Sequence, residues 1–302
     1  MKTEQIEEFM KEAVRIIPEG VVTGELLSRH TTIAVGGPAG IFASPASIAQ
    51  VTALINLAGR TRIEYMVIGK GSNLLVRDGG YDGLVIKFAN NLSKIKINKF
   101  TVRAEAGVSF SLLGRRMTRL HRTGLEFAMG IPGSVGGAVR MNAGSWGHDV
   151  SRILRSVKLM DEHGNVTVMK GTDIKFAYRK SGLHKKAIVL AATFNCPPGE
   201  VDQEIIKKSS DKKLTQPLSQ KSFGSTFVNP PGDYAGRLLE ACGLKGTRRG
   251  GAMISDKHAN FIVNVGPDTT AGDVEALIEF AKQEVKKKFG ISLEPEVDIV
   301  GH

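Results

Sequence analysis

Apolar residues recur at helical spacing in five parts of the chain. This spacing predicts helices over residues 4–16, 47–60, 108–124, 233–242 and 273–289. Ser44 is the expected N-cap of the second helix, with Pro45 at its first position. Gly124 is typical of the residue that follows a helix, and Thr270 with Asp273 resembles a capping box at the start of the last helix.

Short apolar runs and alternating stretches predict β-strands between these helices. One hairpin is expected over residues 155–171, with its turn at His163, Gly164 and Asn165. Strands are also predicted at residues 64–69, 74–76, 83–88, 96–107, 187–196, 260–265 and 293–300. Because helices and strands are mixed along the whole chain, the fold class is α+β. Residues 197–225 are polar, lysine-rich and interrupted by prolines, so we expect a domain boundary near residue 200.

Composition narrows the class of protein. With 302 residues and 41% hydrophobic content, the chain can bury a core in two packed units or a compact three. No apolar run approaches the roughly 20 residues that cross a bilayer, and the charged N-terminus does not resemble a signal peptide. Two cysteines, Cys196 and Cys242, are too few for a disulfide framework. We therefore expect a cytoplasmic protein with no membrane partner.

The charge balance favours anionic ligands. The formal net charge is +11, which raises the local concentration of anions. Aromatic residues make up only 6% and no nucleic-acid-binding motif is present, so small polyanions such as nucleotides are favoured over nucleic acid. The seven histidines contain no closely spaced pair that would hold a metal, and no metal is predicted.

Two glycine-rich stretches carry the clearest functional signal. The first glycine loop, residues 69–75, follows a predicted strand but has Leu74 at the third glycine position of a dinucleotide fingerprint. The second glycine loop, residues 130–144, contains five glycines and no carboxylate. Bare main chain of this kind can bind an anion through its N–H groups. Tight packing of a helix against a strand would account for the glycines of one such loop better than for those of two. No P-loop motif is present in the sequence.

Six motifs in a fixed order identify a family resemblance. The chain resembles the UDP-N-acetylenolpyruvoylglucosamine reductases, flavoenzymes of bacterial cell-wall synthesis, from about residue 20 to its C-terminus. The motifs are HTTIAVGGPA (30–39), IGKGSNLLV (68–76), GIPGSVGGAVRMNAG (130–144), YRKS (178–181), GSTFVNP (224–230) and LEPEV (293–297). The resemblance implies an FAD-binding module of the vanillyl-alcohol-oxidase (PCMH) type in two subdomains, followed by a C-terminal α+β substrate-binding domain.

The family assignment implies a domain layout and a cofactor site. We expect an N-terminal helical segment over residues 1–25, the FAD-binding domain over 26–198 with a subdomain boundary near 69, and the substrate domain over 199–302. FAD would be bound by the two glycine loops. The implied cofactor-binding residues are Gly69, Lys70, Gly71, Ser72, Asn73, Leu74, Leu75, Gly130, Ile131, Pro132, Gly133, Ser134, Gly136, Gly137, Ala138, Asn142 and Gly144.

The same resemblance implies the chemistry. In this family NADPH gives a hydride to FAD, the reduced flavin passes it to C3 of UDP-N-acetylglucosamine enolpyruvate, and C2 is protonated to give UDP-N-acetylmuramate. Ser225 matches the proton donor, Arg179 the catalytic arginine and Glu296 the catalytic glutamate. Read without the family, Ser225 caps a turn, Arg179 lies at the surface and Glu296 is an exposed strand carboxylate. Glu294 shares the strand face predicted for Glu296, so alternation alone does not separate them.

Substrate contacts follow the family less closely. Asn229 matches a substrate-contacting asparagine, and Lys213 or Gln216 lies where the family binds the diphosphate. No room exists after the YRKS motif for the extra tyrosine-bearing loop of one subgroup, so the chain resembles the shorter subgroup. Asp298 stands where a basic residue is expected, which leaves the charge around Glu296 open.

The residues alone are also compatible with two other functions. A different FAD-dependent oxidoreductase of the same fold would keep the glycine loops without needing Ser225, Arg179 and Glu296 together. A basic protein that binds nucleotides or RNA without catalysis would bind no flavin. We expect a monomer or a weak oligomer.

Overall fold

The structure is a computed structural model that describes residues 3–89 and 91–302, except for the side chains of Thr3, Glu4 and Lys213. The chain forms two compact units, each built from separated stretches of sequence. The first unit comprises Met1–Gly24, Gly40–Lys70 and Asp82–Ser210, and the second comprises Glu25–Ala39, Gly71–Tyr81 and Asp211–His302. The expected functional domains, with boundaries near residues 25, 69 and 198, stay a prediction.

Seven α-helices lie in the described part of the chain. They are α1 (Thr3–Ile16), α2 (Ile48–Thr61), α3 (Phe110–Arg119), α4 (Val135–Arg140), α5 (Gln203–Thr215), α6 (Ala235–Ala241) and α7 (Ala271–Phe289). The capping box predicted for the last helix is confirmed: Thr270 accepts a hydrogen bond from the N–H of Asp273, whose carboxylate accepts one from the N–H of Thr270.

The strands are short, with the longest in the first unit. They are β1 (Val21–Thr23), β2 (Ala39–Ala43), β3 (Tyr65–Ile68), β4 (Leu74–Val76), β5 (Tyr81–Lys87), β6 (Ile95–Ile97), β7 (Thr101–Glu105), β8 (Gly144–Ser145), β9 (His148–Asp149), β10 (Leu154–Met160), β11 (Val166–Lys170), β12 (Phe176–Ala177), β13 (Lys180–Ser181), β14 (Ile188–Asn195), β15 (Lys221–Ser222), β16 (Arg248–Arg249), β17 (Ala252–Ile254), β18 (Ile262–Asn264) and β19 (Asp298–Val300). This mixture confirms the α+β class.

The first unit contains two sheets that share one hydrophobic core. One sheet has the order β1-β2-β5-β3, and the other is an antiparallel sheet in the order β11-β10-β14-β7-β6. Helix α2 buries Leu54 and Ile55 in this core, and α3 buries Phe110 and Leu113. Phe110 lies edge-on to Phe127, with ring centroids 6.0 Å apart. Burial of these large side chains is the main stabilising contribution in the unit.

The second unit is built around an antiparallel sheet and α7. The sheet has the order β15-β18-β17-β16, and α7 buries Val274, Leu277, Ile278 and Val285 in the second core. Their spacing of three, one and seven residues keeps them on one helix face. A separate parallel pair joins β4 to β19, with Leu74 opposite Asp298. This pair brings the end of the first glycine loop beside the C-terminal segment.

Several sequence predictions are wrong in detail. The N-cap of α2 is Ser47 rather than Ser44, because the Ser47 hydroxyl accepts from the N–H of Gln50 at 3.2 Å. Helix α3 ends well before Gly124, since His121 already adopts the left-handed conformation with φ 49°. The expected strand over residues 96–107 is two strands, β6 and β7, joined by a turn.

Two further differences lie in the C-terminal third. The polar stretch over residues 197–225 contains α5, a lysine-rich helix that was missed because few of its residues are apolar. Glu204 and Lys208, four residues apart in this helix, form an ion pair. The predicted strand over residues 293–300 is limited to β19, because Leu293 to Val297 pair only through an isolated bridge between Pro295 and Phe227.

Candidate active site

The two glycine loops approach each other closely at one point in the first unit. A Cβ atom added at Gly69 would lie 2.2 Å from Oγ of Ser134, far inside ordinary contact distance. Only glycine therefore allows this approach. Gly133, next to Ser134, has a φ of 116°, which residues other than glycine rarely adopt. Within the first unit, Gly69 of the first glycine loop therefore lies directly against the second glycine loop.

The predicted cofactor residues divide between the units. Gly69 and Lys70 belong to the first unit, as does the whole second glycine loop, which includes α4. Gly71 to Leu75 belong to the second unit, where Leu74 and Leu75 form part of β4. The loop main chain is half-buried at Gly69, Gly130 and Gly136. Residues of this kind can hold an FAD diphosphate through main-chain N–H groups.

Two of the implied cofactor-binding residues, Ser134 and Asn142, have side chains that bond within the protein. Ser134 is 3% exposed and caps α4 by accepting from the N–H of Gly137. Asn142 is 4% exposed; it donates to the carbonyl of Ala177 at 3.1 Å and accepts from the N–H of Ser151 at 3.0 Å. These hydrogen bonds show that both side chains help to shape the second glycine loop.

Arg179 is held at the tip of a tight hairpin. Strands β12 and β13 pair Ala177 with Lys180, so Tyr178 and Arg179 form a two-residue turn. Arg179 adopts φ 57°, a conformation that is uncommon for residues other than glycine. Its Nη1 donates to the carbonyl of Gly144 at 2.9 Å, and its guanidinium lies 5.1 Å from the ring centroid of Tyr178. The side chain is half-buried and held in place rather than free on the surface.

The turn that carries Arg179 is tied to the second glycine loop. Asn142 bonds to Ala177 as described, and the hydroxyl of Ser181 donates to the carbonyl of Arg140 at 2.8 Å. The guanidinium of Arg140 in turn donates to the carbonyls of residues 183, 184, 185 and 187. The YRKS hairpin therefore has a fixed position relative to α4 within the first unit.

Ser225 and Glu296 lie on neighbouring segments of the second unit. The N–H of Glu296 donates to the carbonyl of Thr226 at 2.8 Å, directly beyond Ser225. Asn73 of the first glycine loop donates its amide to the carbonyl of Glu296 at 2.9 Å. Glu296 is half-buried whereas Glu294 is exposed, which separates the two carboxylates that the alternation pattern left equal.

Ser225 opens onto a cleft that lies wholly within the second unit. The cleft has a volume of about 570 Å³. Two of the predicted substrate residues, Gln216 and Asn229, line it together with Ser225. Lys213 belongs to α5, but its side chain lies outside the described part of the structure. The cleft is also lined by Thr215, Tyr234, Gly236, Arg237, Glu240, Lys257, His258, Ala259 and Asn260.

Sequence reasoning missed most of these cleft residues. Tyr234 begins α6 and is 69% exposed, and Asp233 beside it pairs with Arg237, which lowers the pKa of Asp233 to about 2. The signal available in the sequence was the polar run of residues 255–258, which lies shortly before the predicted strand over residues 260–265. Loop residues next to regular elements often contribute to binding sites.

His258 lies in the cleft wall, where its surroundings favour the neutral ring. Burial lowers its pKa from the usual 6.5, and the nearby Lys245 lowers it further. Its Nδ1 accepts from the N–H of Asn260 at 3.2 Å. In the neutral ring the proton then lies on Nε2, so that nitrogen is a donor.

The described ranges, 3–89 and 91–302, contain no cluster of three or more metal-binding side chains. Within the same ranges no helix has both the length and the apolar character needed to cross a membrane.

Comparisons with known proteins agree with this arrangement of loops and cleft. Residues 216–300 match the C-terminal domain of UDP-N-acetylenolpyruvoylglucosamine reductase, and residues 39–170 match an FAD binding domain. The predicted FAD-binding module is thereby confirmed, and FAD is the cofactor of the chain. The C-terminal match contains the whole cleft except Thr215.

Relatives resemble the chain over nearly its full length. A UDP-N-acetylenolpyruvoylglucosamine reductase of Anoxybacillus flavithermus is 40% identical over 301 residues, which cover 98% of this chain and 99% of the relative. One from Clostridium botulinum is 42% identical over 285 residues, covering 93% and 92%. The crystal structure of the Thermus caldophilus enzyme is 35% identical and superimposes with a TM-score of 0.79, covering 93% of this chain and 98% of that one. The chain therefore belongs to the UDP-N-acetylenolpyruvoylglucosamine reductase family.

Proposed function

We propose that the chain reduces UDP-N-acetylglucosamine enolpyruvate to UDP-N-acetylmuramate with NADPH as the hydride donor. The observation that carries the proposal is the pairing of the Ser225 and Glu296 segments beside one cleft. The chemistry that bound FAD supplies is hydride transfer, from NADPH to the flavin and from flavin N5 to C3 of the enolpyruvyl group. The protein then has to stabilise the charge that develops at C2 and deliver a proton there.

Ser225 is the proposed proton donor to C2. A serine hydroxyl is a weak acid, so it can donate only to a strongly basic carbon and only from a fixed position. The contacts around Ser225 supply such a position: Gly224 precedes it with φ 85°, and Thr226 after it is bonded to Glu296. The proposed role of Glu296 is to orient or polarise the enol system from the neighbouring segment.

Arg179 is the proposed partner of the substrate carboxylate. As C3 receives the hydride, negative charge spreads from C2 onto the carboxylate, as in an enolate. A guanidinium stays charged at any working pH, and its planar fork matches a carboxylate. The contact with Gly144 and the tight hairpin support this role, because they fix the side chain before substrate binds.

The sugar nucleotide is proposed to bind in the cleft through Asn229 and Gln216, with Lys213 as a further candidate for the diphosphate. Asn229 also accepts a hydrogen bond from the N–H of Ala235 at 3.0 Å, which fixes the start of α6. The excess of basic over acidic residues, 41 against 30, would draw NADPH and the sugar nucleotide toward the protein.

Ser225→Ala tests the proposal by separating the two half-reactions. Reduction of the bound flavin by NADPH is expected to proceed as in the wild type, while reoxidation by the enolpyruvyl substrate is nearly abolished. Both rates are measured under anaerobic conditions from the flavin absorbance in a stopped-flow instrument. Ser222→Ala, three residues before Ser225 and within β15, is the matched control and should leave both rates unchanged. An equal loss of both half-reactions in Ser225→Ala would contradict the role of Ser225.

A further inference from the structure

Asn260 makes an unusual pair of contacts beside Ser225. Its side chain is buried, with 4% exposed, and both ends of its amide bond to the main chain of one residue. Oδ1 accepts from the N–H of Phe227 at 2.9 Å, and Nδ2 donates to the carbonyl of Phe227 at 2.9 Å. The carbonyl of Asn260 also accepts from the N–H of Thr226 at 2.8 Å. Asn260 therefore contacts Phe227 in the way a neighbouring β-strand would.

The opposite edge of the same segment is bonded to the C-terminal motif. The carbonyl of Thr226 accepts from Glu296, and the N–H of Val228 donates to the carbonyl of Glu294 at 3.0 Å. In an extended segment, the N–H and C=O groups of successive residues point to opposite edges. Residues 226–228 are thus held on both sides, by Glu294 and Glu296 on one edge and by Asn260 on the other.

We propose that Asn260 is a positioning residue that holds Ser225 at the place from which it protonates the substrate. The inference rests on the proposed function, because it assigns Asn260 to the proton-transfer step alone. Ser225 directly precedes the clamped segment, so the bonds to Thr226 and Phe227 fix its main chain. Because both ends of the Asn260 amide are bonded to Phe227, the proposed action of the side chain on Ser225 is through the main chain.

If Asn260 served only to stabilise the fold, its loss would not slow proton transfer in the folded enzyme. Asn264 offers a comparison residue for this alternative. Asn264 is a half-buried asparagine in the same unit that also bonds to main chain: its Nδ2 donates to the carbonyl of Ile33 at 3.0 Å. It lies at the end of β18, and the cleft described above does not include it. If loss of an amide bonded to main chain acted only through stability, both Asn264→Leu and Asn260→Leu would leave the reoxidation rate of the folded enzyme unchanged.

The test compares half-reactions in the FAD-loaded wild type, Asn260→Leu, Asn260→Asp and Asn264→Leu. Displacement of a reacting group by about 1 Å costs on the order of 100-fold in rate, so substrate-dependent flavin reoxidation should fall by about that factor in Asn260→Leu. Reduction by NADPH should match the wild type, and the solvent deuterium isotope effect on reoxidation should increase as proton transfer becomes limiting. Asn260→Asp keeps the acceptor for Phe227 N–H, so it should show a smaller loss and provides the test if Asn260→Leu does not fold. Asn264→Leu should reoxidise at the wild-type rate.

A readout independent of turnover is hydrogen exchange at the amide of Phe227. This amide should exchange faster in Asn260→Leu than in the wild type, while remaining protected in Asn264→Leu. Faster exchange with an unchanged reoxidation rate and isotope effect would overturn the positioning role alone. A wild-type protein that is reduced by NADPH but never reoxidised by the enolpyruvyl substrate would overturn the proposed function and the inference with it.

Discussion

Gly69→Ala tests whether the contact between the two glycine loops is needed to bind FAD. Gly69 does not adopt a left-handed conformation, so alanine can take its main-chain angles without strain. The only penalty is steric: the new Cβ would lie 2.2 Å from Oγ and 3.0 Å from Cβ of Ser134. Ordinary contact begins near 3.4 Å, so the Ser134 side chain or one of the loops has to shift by about 1 Å.

The size of the effect follows from this overlap. Insertion of one methyl group into a tightly packed site costs about 1–3 kcal/mol. If the loops bind the FAD diphosphate, this cost weakens FAD binding by about 5- to 150-fold. Ser134→Gly removes both close atoms and costs only a few tenths of a kcal/mol as a cap replacement. The double variant Gly69→Ala with Ser134→Gly should therefore recover most of the affinity.

Titration of the apoprotein with FAD, followed by flavin fluorescence, measures all four forms of this double-mutant cycle. Thermal unfolding of each apoprotein separates loss of the fold from loss of the cofactor site. Wild-type affinity in Gly69→Ala would show that the loop contact is not part of the FAD site. A double variant no better than Gly69→Ala would show that the clash with Ser134 is not the cause of the loss.

Two further predictions concern stability. Burial lowers the pKa of His258 below 6.5, so the unfolded chain binds more protons than the folded chain as the pH falls through that value, and the free energy of unfolding decreases. Urea unfolding at about pH 5 and about pH 8 should show a smaller decrease in His258→Gln than in the wild type. An equal decrease in the two proteins would contradict the lowered pKa. The hydroxyl of Thr226 is buried and has no hydrogen-bond partner in the described structure. Thr226→Val should therefore raise the free energy of unfolding by about 1 kcal/mol. A lower melting temperature of the variant in calorimetry would show that the hydroxyl is bonded.

Sequence patterns correctly predicted those elements whose determining residues lie close together in the chain. The capping box of Thr270 and Asp273 predicted the start of α7, because all of its donors and acceptors lie within four residues. The hairpin of β10 and β11 was also predicted, since alternation and a turn are both short-range signals. Helix α5 was missed because few of its residues are apolar, so it has no full apolar face that a periodic pattern could reveal.

The main-chain pairing that brings the segments of the candidate site together leaves no local signal in the sequence. Leu74 pairs with Asp298, and Thr226 bonds to Glu296, in both cases across a long stretch of sequence. No periodicity within either segment predicts its partner, because short strands lack the length to specify a register. The family motifs named Ser225 and Glu296 as acting together. The contacts that hold these two residues on neighbouring segments became visible only in the structure.

Asparagine side chains in and around the candidate site share one physical role. Asn142 and Asn229, which are predicted to contact cofactor and substrate, also bond to the main chain beside Arg179 and at the start of α6. Asn73 and Asn260 do the same around Glu296 and Ser225. The segments concerned are too short to be fixed by a full β-ladder, and their buried main-chain groups still require partners. An amide supplies one donor and one acceptor in the geometry of a peptide group, so asparagine can replace a missing strand where an active site needs one.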